Sequence, residues 1–119
     1  MNALAILAML YEDIMTSNSF SYPWKSPDTG NFIFELGYDE QESLVKFMLE
    51  DGDAENCSLS LGKNDDGNYE IKTIEYDRMG KTITYNVTDK IRSYMRINHM
   101  EKMYDTLCKE VGCIAEEIC

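Results

Sequence analysis

The stretch from Cys57 to Val87 constrains the fold of this chain more than any other part of its sequence. It contains three runs rich in Tyr, Ile, Thr and Val, in which apolar and polar residues alternate. Asp-Gly and Met-Gly pairs, at 66–67 and 79–80, separate these runs. The pattern is typical of an antiparallel β-meander with one buried face and one wet face. The residues expected to line the faces of the meander are Leu59, Leu61, Ile71, Ile83 and Tyr85.

The flanking segments predict a fourth strand and the helices that cover the sheet. Asn31–Tyr38 has the aromatic and β-branched content of a strand. Ala3–Met15 is apolar on all sides of its first turns, which predicts a helix buried either in the core or against its twin in a homodimer. Apolar residues at three- and four-residue steps from Met100 to Ile118 predict an amphipathic last helix. We expect an α+β fold in one domain, residues 1–119, with a small antiparallel meander of four or five strands packed against N-terminal and C-terminal helices.

The segment Asp39–Asp51 is compatible with two structures. Asp39 with Glu42 matches a capping box, and the apolar residues that follow have helical spacing, which favours a helix. The run Ser43–Glu50 also fits a strand that would form a hairpin with the preceding one.

The C-terminal part of the chain predicts two helices. Thr88 is the expected N-cap of the first, and Asn98 with Glu101 forms the capping box expected to open the second. The apolar stripe changes phase near Asn98, which predicts a break there. Gly112 is expected to weaken the last helix by roughly 1 kcal/mol relative to Ala and to let its end bend or fray.

The charge of the chain limits its partners. There are 22 acidic and 11 basic residues, which gives a net charge of −11. Such a charge disfavours direct binding to nucleic acid or to an anionic membrane, and it favours a basic protein partner. The apolar start of the chain carries no basic residue and is too short to cross a bilayer, so we expect neither a signal peptide nor a membrane span.

The residue types that carry most catalytic and metal chemistry do not form a motif here. The four cysteines, Cys57, Cys108, Cys113 and Cys119, show no zinc spacing, which predicts reduced thiols in a cytoplasm, bacterial or host. His99 and Cys108 would lie roughly 13 Å apart on one helix, too far to form a nucleophilic pair. We therefore expect no metal, no cofactor and no catalytic residue.

Acidic clusters in predicted turns, together with one aromatic residue, are the candidate partner-binding site. Trp24 lies on a proline-stiffened loop, where it would serve as an interface anchor. The acidic residues would stand in for the phosphates of a nucleic acid and steer association with a basic groove. The predicted partner-binding residues are Trp24, Glu50, Asp51, Asp53, Glu55, Asp65 and Asp66.

These observations predict a non-enzymatic inhibitor or adaptor that occupies a basic, nucleic-acid-binding site on another protein. A phage-encoded anti-defence protein of the anti-CRISPR type and an immunity protein against a nuclease both have this physical character. Two alternatives stay open at this point. One is a structural or regulatory homo-oligomer that uses its terminal helices, and the other is a small enzyme with an unfamiliar site.

Overall fold

The computed structural model of the chain describes residues 3–16, 23–49 and 54–119. Helices and strands follow one another within these ranges in an α+β arrangement. Their bounds are α1 Ala3–Met15, β1 Trp24–Lys25, β2 Phe32–Glu35, α2 Tyr38–Leu49, β3 Glu55–Lys63, β4 Tyr69–Arg78, β5 Lys81–Asn86, α3 Thr88–Ile97 and α4 Glu101–Ile118.

The five strands form one sheet in chain order, and every neighbouring pair is antiparallel. The meander predicted between Cys57 and Val87 is confirmed as β3, β4 and β5, and the predicted fourth strand is confirmed as β2. β1 forms one edge of the sheet, although sequence alone predicted a loop there, and β5 forms the other edge. The segment between β2 and β3 is a helix, as its spacing favoured.

One face of the sheet carries the hydrophobic core. Phe34, Leu59 and Ile74 are directly opposed on β2, β3 and β4, and all three are fully buried. α4 packs on β3 and β4, α1 packs against α4, and the buried side chains of both helices belong to the same core. Burial of each such large side chain contributes roughly 1.5–3 kcal/mol. α1 therefore matches the interpretation of Ala3–Met15 as a core helix.

Burial along the meander falls toward its outer edge. Of the residues expected to line its faces, Leu59, Leu61 and Ile71 are fully buried. Ile83 on the last strand is half-buried, and Tyr85 is 44% exposed. Ile83 is the cross-strand partner of Tyr76, and Tyr85 is that of Ile74, so both lie on the core face. Their exposure follows from the position of β5 at the edge of the sheet.

β4 is longer than β5. On the side away from β3, backbone groups near its start form hydrogen bonds with α4 and with the start of α3 instead of with a strand. β5 pairs only with residues 73–78 of β4. Beyond that point the backbone N–H of Ile71 donates to the hydroxyl of Tyr104, on α4, at 2.9 Å. The hydroxyl of Thr88 donates to the carbonyl of Ile71 at 3.2 Å, and the N–H of Val87 donates to the carbonyl of Lys72 at 3.0 Å. The backbone groups of Ile71 and Lys72 that β5 does not reach are thus paired.

Glu70, at the same end of β4, is a buried carboxylate between two cations. Its side chain is 7% exposed and accepts hydrogen bonds from Lys72 Nζ at 2.8 Å and from Arg92 Nε at 3.0 Å. Arg92 also donates to Asp105, on α4, at 2.8 Å. Burial acts to raise the pKa of Glu70, but the bonds from Lys72 and Arg92 outweigh it and hold the pKa below its ordinary value. Strand, α3 and α4 are joined by this network.

The predicted capping boxes are wrong in detail. α2 begins at Tyr38, one residue before Asp39, so Asp39 lies inside the first turn. The N-cap positions of α3 and α4 are held by Val87 and Met100, whose side chains carry no oxygen to accept a hydrogen bond. The polar residues expected there have other partners, one on a distant strand and one at the end of the preceding helix. Thr88 binds the edge of β4, and the amide of Asn98 donates to the carbonyl of Tyr94 at the end of α3.

The break predicted near Asn98 is confirmed, whereas the role expected of Gly112 is not. α3 ends at Ile97 and α4 begins at Glu101. Gly112 lies inside α4, is buried, and faces the ring of Tyr69. A methyl group at this position would lie 2.4 Å from a ring carbon of Tyr69, well inside contact distance. The glycine therefore permits close packing of helix on strand rather than fraying of the helix.

Replacing Tyr104 by Phe tests the pairing of the β4 edge. The change leaves the buried N–H of Ile71 without its acceptor, so we expect the free energy of unfolding to fall by about 1–3 kcal/mol. Urea denaturation measures it. Tyr85→Phe removes a hydroxyl from a half-exposed ring and should change stability by less than about 0.5 kcal/mol. Equal losses in the two variants would contradict the role given to Tyr104.

Replacing Glu70 by Gln tests the buried network through its pH dependence. A carboxyl whose pKa is lowered in the folded state stabilises the fold above its ordinary value of 4.5, and this contribution is lost as the pH falls through the folded pKa. We expect Glu70→Gln to cost about 2 kcal/mol at pH 7, because charged hydrogen bonds are lost. The difference from wild type should shrink toward pH 3. A difference of the same size at both pH values would contradict this assignment. The exposed Glu117→Gln serves as control.

Candidate acidic binding face

The second face of the sheet carries a depression that is open to solvent. It encloses about 920 Å³, and its lining residues belong to the strands and to the loops beside them. Among the residues that the structure describes, none from a helix lines it. The alternation that sends Phe34, Leu59 and Ile74 into the core sends their neighbours to this side. We call it the open face.

The strand register arranges the open face in transverse rows. One row crosses the whole sheet, because each member is the cross-strand partner of the next: Trp24, Ile33, Ser60, Thr73 and Asn86. The hydroxyls of Ser60 and Thr73 lie 2.6 Å apart and form a hydrogen bond. The next row contains Glu35, Ser58, Glu75 and Thr84. The floor of the depression is therefore made of hydroxyl and carboxylate groups, with Trp24 and Ile33 at one side.

Three carboxylates line the open face, namely those of Glu35, Glu75 and Asp77. Glu55, the first residue of β3, is the cross-strand partner of Asp77 and adds a fourth acidic residue there. Within the described ranges, the lining contains no Lys, Arg or His. Carboxylates in one depression reinforce one another's field, so this side of the molecule attracts cations.

Asp77 is held in place by neighbours on both sides. The hydroxyl of Thr82 donates to its Oδ1 at 2.7 Å, and the amide of Asn56 donates to its Oδ2 at 3.1 Å. These bonds, that of Thr82 first, lower the pKa of Asp77. Asn56 itself has a left-handed φ of 53° at a register shift in β3, which brings its side chain to Asp77. Asp77 is consequently ionised at neutral pH and fixed in orientation.

The predicted partner-binding residues are spread across the sheet. Trp24 lies in β1, is 51% exposed, and lines the open face. Glu55 lies at the start of β3, opposite Asp77, whereas Asp65 and Asp66 are exposed in the turn beyond the other end of that strand. β3 has nine residues, so these two sites are separated by roughly 26 Å. Glu50, Asp51 and Asp53 lie outside the described residues.

Reasoning from turns missed the acidic residues of the open face. Glu35, Glu75 and Asp77 lie within strands, whereas the acidic residues selected from the sequence were those in predicted turns. The signal that locates them is the register of the meander, because Glu75 and Asp77 alternate with Ile74 and Tyr76, which are buried. Strand alternation identifies the side on which each acid lies, and composition alone does not.

Two of the four thiols lie in the core, whereas the histidine is exposed. Burial raises the pKa of Cys57 and of Cys108 to about 12, so both thiols are protonated at neutral pH. His99 is exposed in the link between α3 and α4, with a left-handed φ of 56°. In the described part of the chain, no three His, Cys, Asp or Glu residues are grouped as metal ligands.

No family model matches this chain, and neither a curated protein nor a solved structure matches it. Over residues 3–16, 23–49 and 54–119, no helix combines the length and apolar content that a bilayer crossing requires.

Thiol labelling of the native chain tests the burial of the cysteines. All four are free, with Cys113 and Cys119 exposed and Cys57 and Cys108 buried. We expect an aromatic disulfide reagent to modify two thiols per chain within minutes and the other two only on unfolding, because reactivity requires an accessible thiolate. Peptide mapping identifies the modified residues. Rapid reaction of Cys57 or Cys108 in the folded chain would contradict their place in the core.

Proposed function

We propose that this chain is a non-enzymatic binding protein whose open face occupies a basic, nucleic-acid-binding site on a partner protein. The observation that carries the proposal is a depression lined by Glu35, Glu75 and Asp77, in which no described lining residue is Lys, Arg or His. The biological role that fits is inhibition, as by a phage-encoded anti-defence protein of the anti-CRISPR type or by an immunity protein against a nuclease. The free cysteines fit a reducing compartment such as the cytoplasm.

Electrostatic complementarity with nucleic-acid enzymes supports this proposal. Duplex DNA carries one negative charge per roughly 1.7 Å of its axis, and enzymes that bind it present Lys and Arg in a groove. A chain with a net charge of −11 is drawn to such a groove from a distance. The carboxylates of the open face then meet cations at short range. Steering of this kind raises association rates more than it raises affinity.

An apolar anchor at the side of the open face would lengthen the lifetime of the complex, which charge affects less. Trp24 is 51% exposed and is the cross-strand partner of Ile33, which is half-buried. A tryptophan that loses water on binding contributes mainly to the lifetime of a complex. The pairing of Trp24 with Ile33 also holds it in a strand, so less conformational freedom is lost on binding than for a loop residue.

The homo-oligomer alternative gains no support from the helices. The apolar stripes of α1 and α4 are buried in the chain's own core, where α1 and α4 pack against each other. Their remaining large exposed apolar residues, Met9, Met15 and Met103, are too few to form a seam of the predicted kind.

Neutralising the open face tests the proposed function. A partner is first captured with the tagged wild-type chain, and association rates are then measured at 0.05 M and 0.5 M salt. We expect the variant Glu35→Gln, Glu75→Gln, Asp77→Asn to associate roughly tenfold more slowly at low salt. The difference should shrink at 0.5 M, where the Debye length is about 4 Å. Nucleic acid should compete with the wild-type chain.

The matched control removes the same charge elsewhere. Glu101→Gln, Glu110→Gln and Glu117→Gln together neutralise three exposed acids of α4. This variant should associate nearly as fast as wild type, because only the open face is held against the partner. Equal rates for the two triple variants would mean that the acidity acts as overall charge alone. A ternary complex with bound nucleic acid would contradict occupation of the nucleic-acid site.

A further inference from the structure

The outer edge of β5 is an unpaired sheet edge. No described strand lies beyond it, and five of its six residues are exposed, with Ile83 half-buried. The opposite edge, β1, has only two residues. β5 is therefore the edge on which another strand has room to add.

The register shows which backbone groups of β5 face outward. The two-residue turn Met79–Gly80 makes Arg78 and Lys81 the closing hydrogen-bonded pair, and bonded residues then alternate along an antiparallel ladder. The N–H of Val87 donates to Lys72, in agreement with this alternation. The backbone groups of Thr82, Thr84 and Asn86 consequently point away from β4.

The devices that usually protect a sheet edge are missing from the β5 sequence. It contains no proline, and its single charged residue is Lys81, at its start. The pairing with β4 runs in unbroken register from Arg78 and Lys81 to Thr73 and Asn86. Short strands, bulges, prolines and inward charges are the features that normally prevent strand addition.

The two sides of β5 differ in what they offer an incoming strand. On the open-face side, Thr82 and Thr84 are the partners of Asp77 and Glu75. An added strand would lie roughly 10 Å from those two acids, two strand spacings away, so long cationic side chains are required to reach them. On the other side, Ile83 and Tyr85 offer an apolar surface, and Tyr85 stacks on Tyr76 with ring centroids 6.2 Å apart.

A second copy of the chain fits this edge poorly. The open-face residues of β5 are Thr82, Thr84 and Asn86, so a second β5 brings no cation toward Glu75 and Asp77. It would instead place two acidic open faces side by side, each on a chain of net charge −11. Like charges in this arrangement oppose association.

We propose that β5 binds an extended segment of a partner protein in which basic and apolar residues alternate. The segment adds as a sixth strand, with its Lys and Arg side chains on the open-face side and its apolar side chains against Ile83 and Tyr85. This inference rests on the proposed function and deepens it, because it states how a basic partner engages the acidic face. Backbone hydrogen bonds give the affinity, and the alternation gives the specificity.

The test uses a labelled seven-residue peptide in which Lys and Val alternate, with fluorescence anisotropy at low salt. Its control has the same composition with all Lys residues first and all Val residues last. We expect the control to bind at least tenfold more weakly, because only the alternating order sorts charge and apolar groups to opposite sides. Equal binding of the two peptides would overturn the proposal.

Thr84→Pro is the matched protein variant. Its N–H points outward, so proline removes a donor from the edge while leaving the ladder to β4 intact. We expect the variant to remain folded and to bind the alternating peptide at least tenfold more weakly. Unchanged binding overturns the proposal. So does a wild-type dimer, seen by sedimentation, that Thr84→Pro abolishes, because the occupant is then a second copy.

Methylated peptides keep the test decisive if Thr84→Pro fails to fold. Two peptides of equal composition carry backbone N-methyl groups, one on the odd-numbered residues and the other on the even-numbered residues. In an added strand, the backbone N–H groups of only one of these sets point toward β5. Loss of binding in one peptide and not in the other supports strand addition, and equal behaviour overturns it. The same variants are then measured against the captured partner. If the open-face triple variant associates more slowly but Thr84→Pro does not, strand addition at β5 is wrong and the proposed function stands. If both variants associate as fast as wild type, the proposed function is wrong as well.

Discussion

The sheet depends on the way the first residues of β4 are paired where β5 no longer reaches them. A central strand with unpaired backbone groups in the core would lose roughly 1–3 kcal/mol for each. Here Tyr104 on α4, Thr88 at the start of α3 and Val87 just before it supply the missing partners. The ring of Tyr104 is fully buried, and the guanidinium of Arg92 lies 5.1 Å from its centre. The same residues therefore complete the strand and fix the helices against it.

The cations at this end of β4 have acidic partners of their own. The cations nearest to the buried end of β4, Lys72 and Arg92, are engaged by Glu70 and Asp105. They are thereby unavailable to the carboxylates of the open face. The acids of the open face are left with hydroxyl and amide neighbours, as Asp77 is with Thr82 and Asn56. The chain therefore combines paired charges at one end of β4 with an acidic lining on the open face.

The sequence predicts the strands well because their signal is local. Alternation and turn chemistry between Cys57 and Val87 are enough to locate β3, β4 and β5, and residues such as Leu59 and Ile71 are buried as that alternation requires. Capping was predicted less well, since Thr88 has a tertiary partner on β4 that local patterns do not reveal and Asn98 binds the end of α3 instead of the start of α4. Gly112 was misjudged for the same reason, because Tyr69 lies more than forty positions away in the chain. The open face required the register of all five strands, which turn-based reasoning did not use.

The contact between Tyr104 and β4 also has a consequence for the time at which the fold can form. α4 is the last element of the described chain, yet it provides the acceptor for Ile71 and the surface on which α1, the first element, packs. During synthesis the meander is made before the helix that completes it, and α1 waits longest for its partner. Contacts between the two ends of the sequence are slow to form. The fold is therefore completed only once α4 has left the ribosome, rather than strand by strand as the chain emerges.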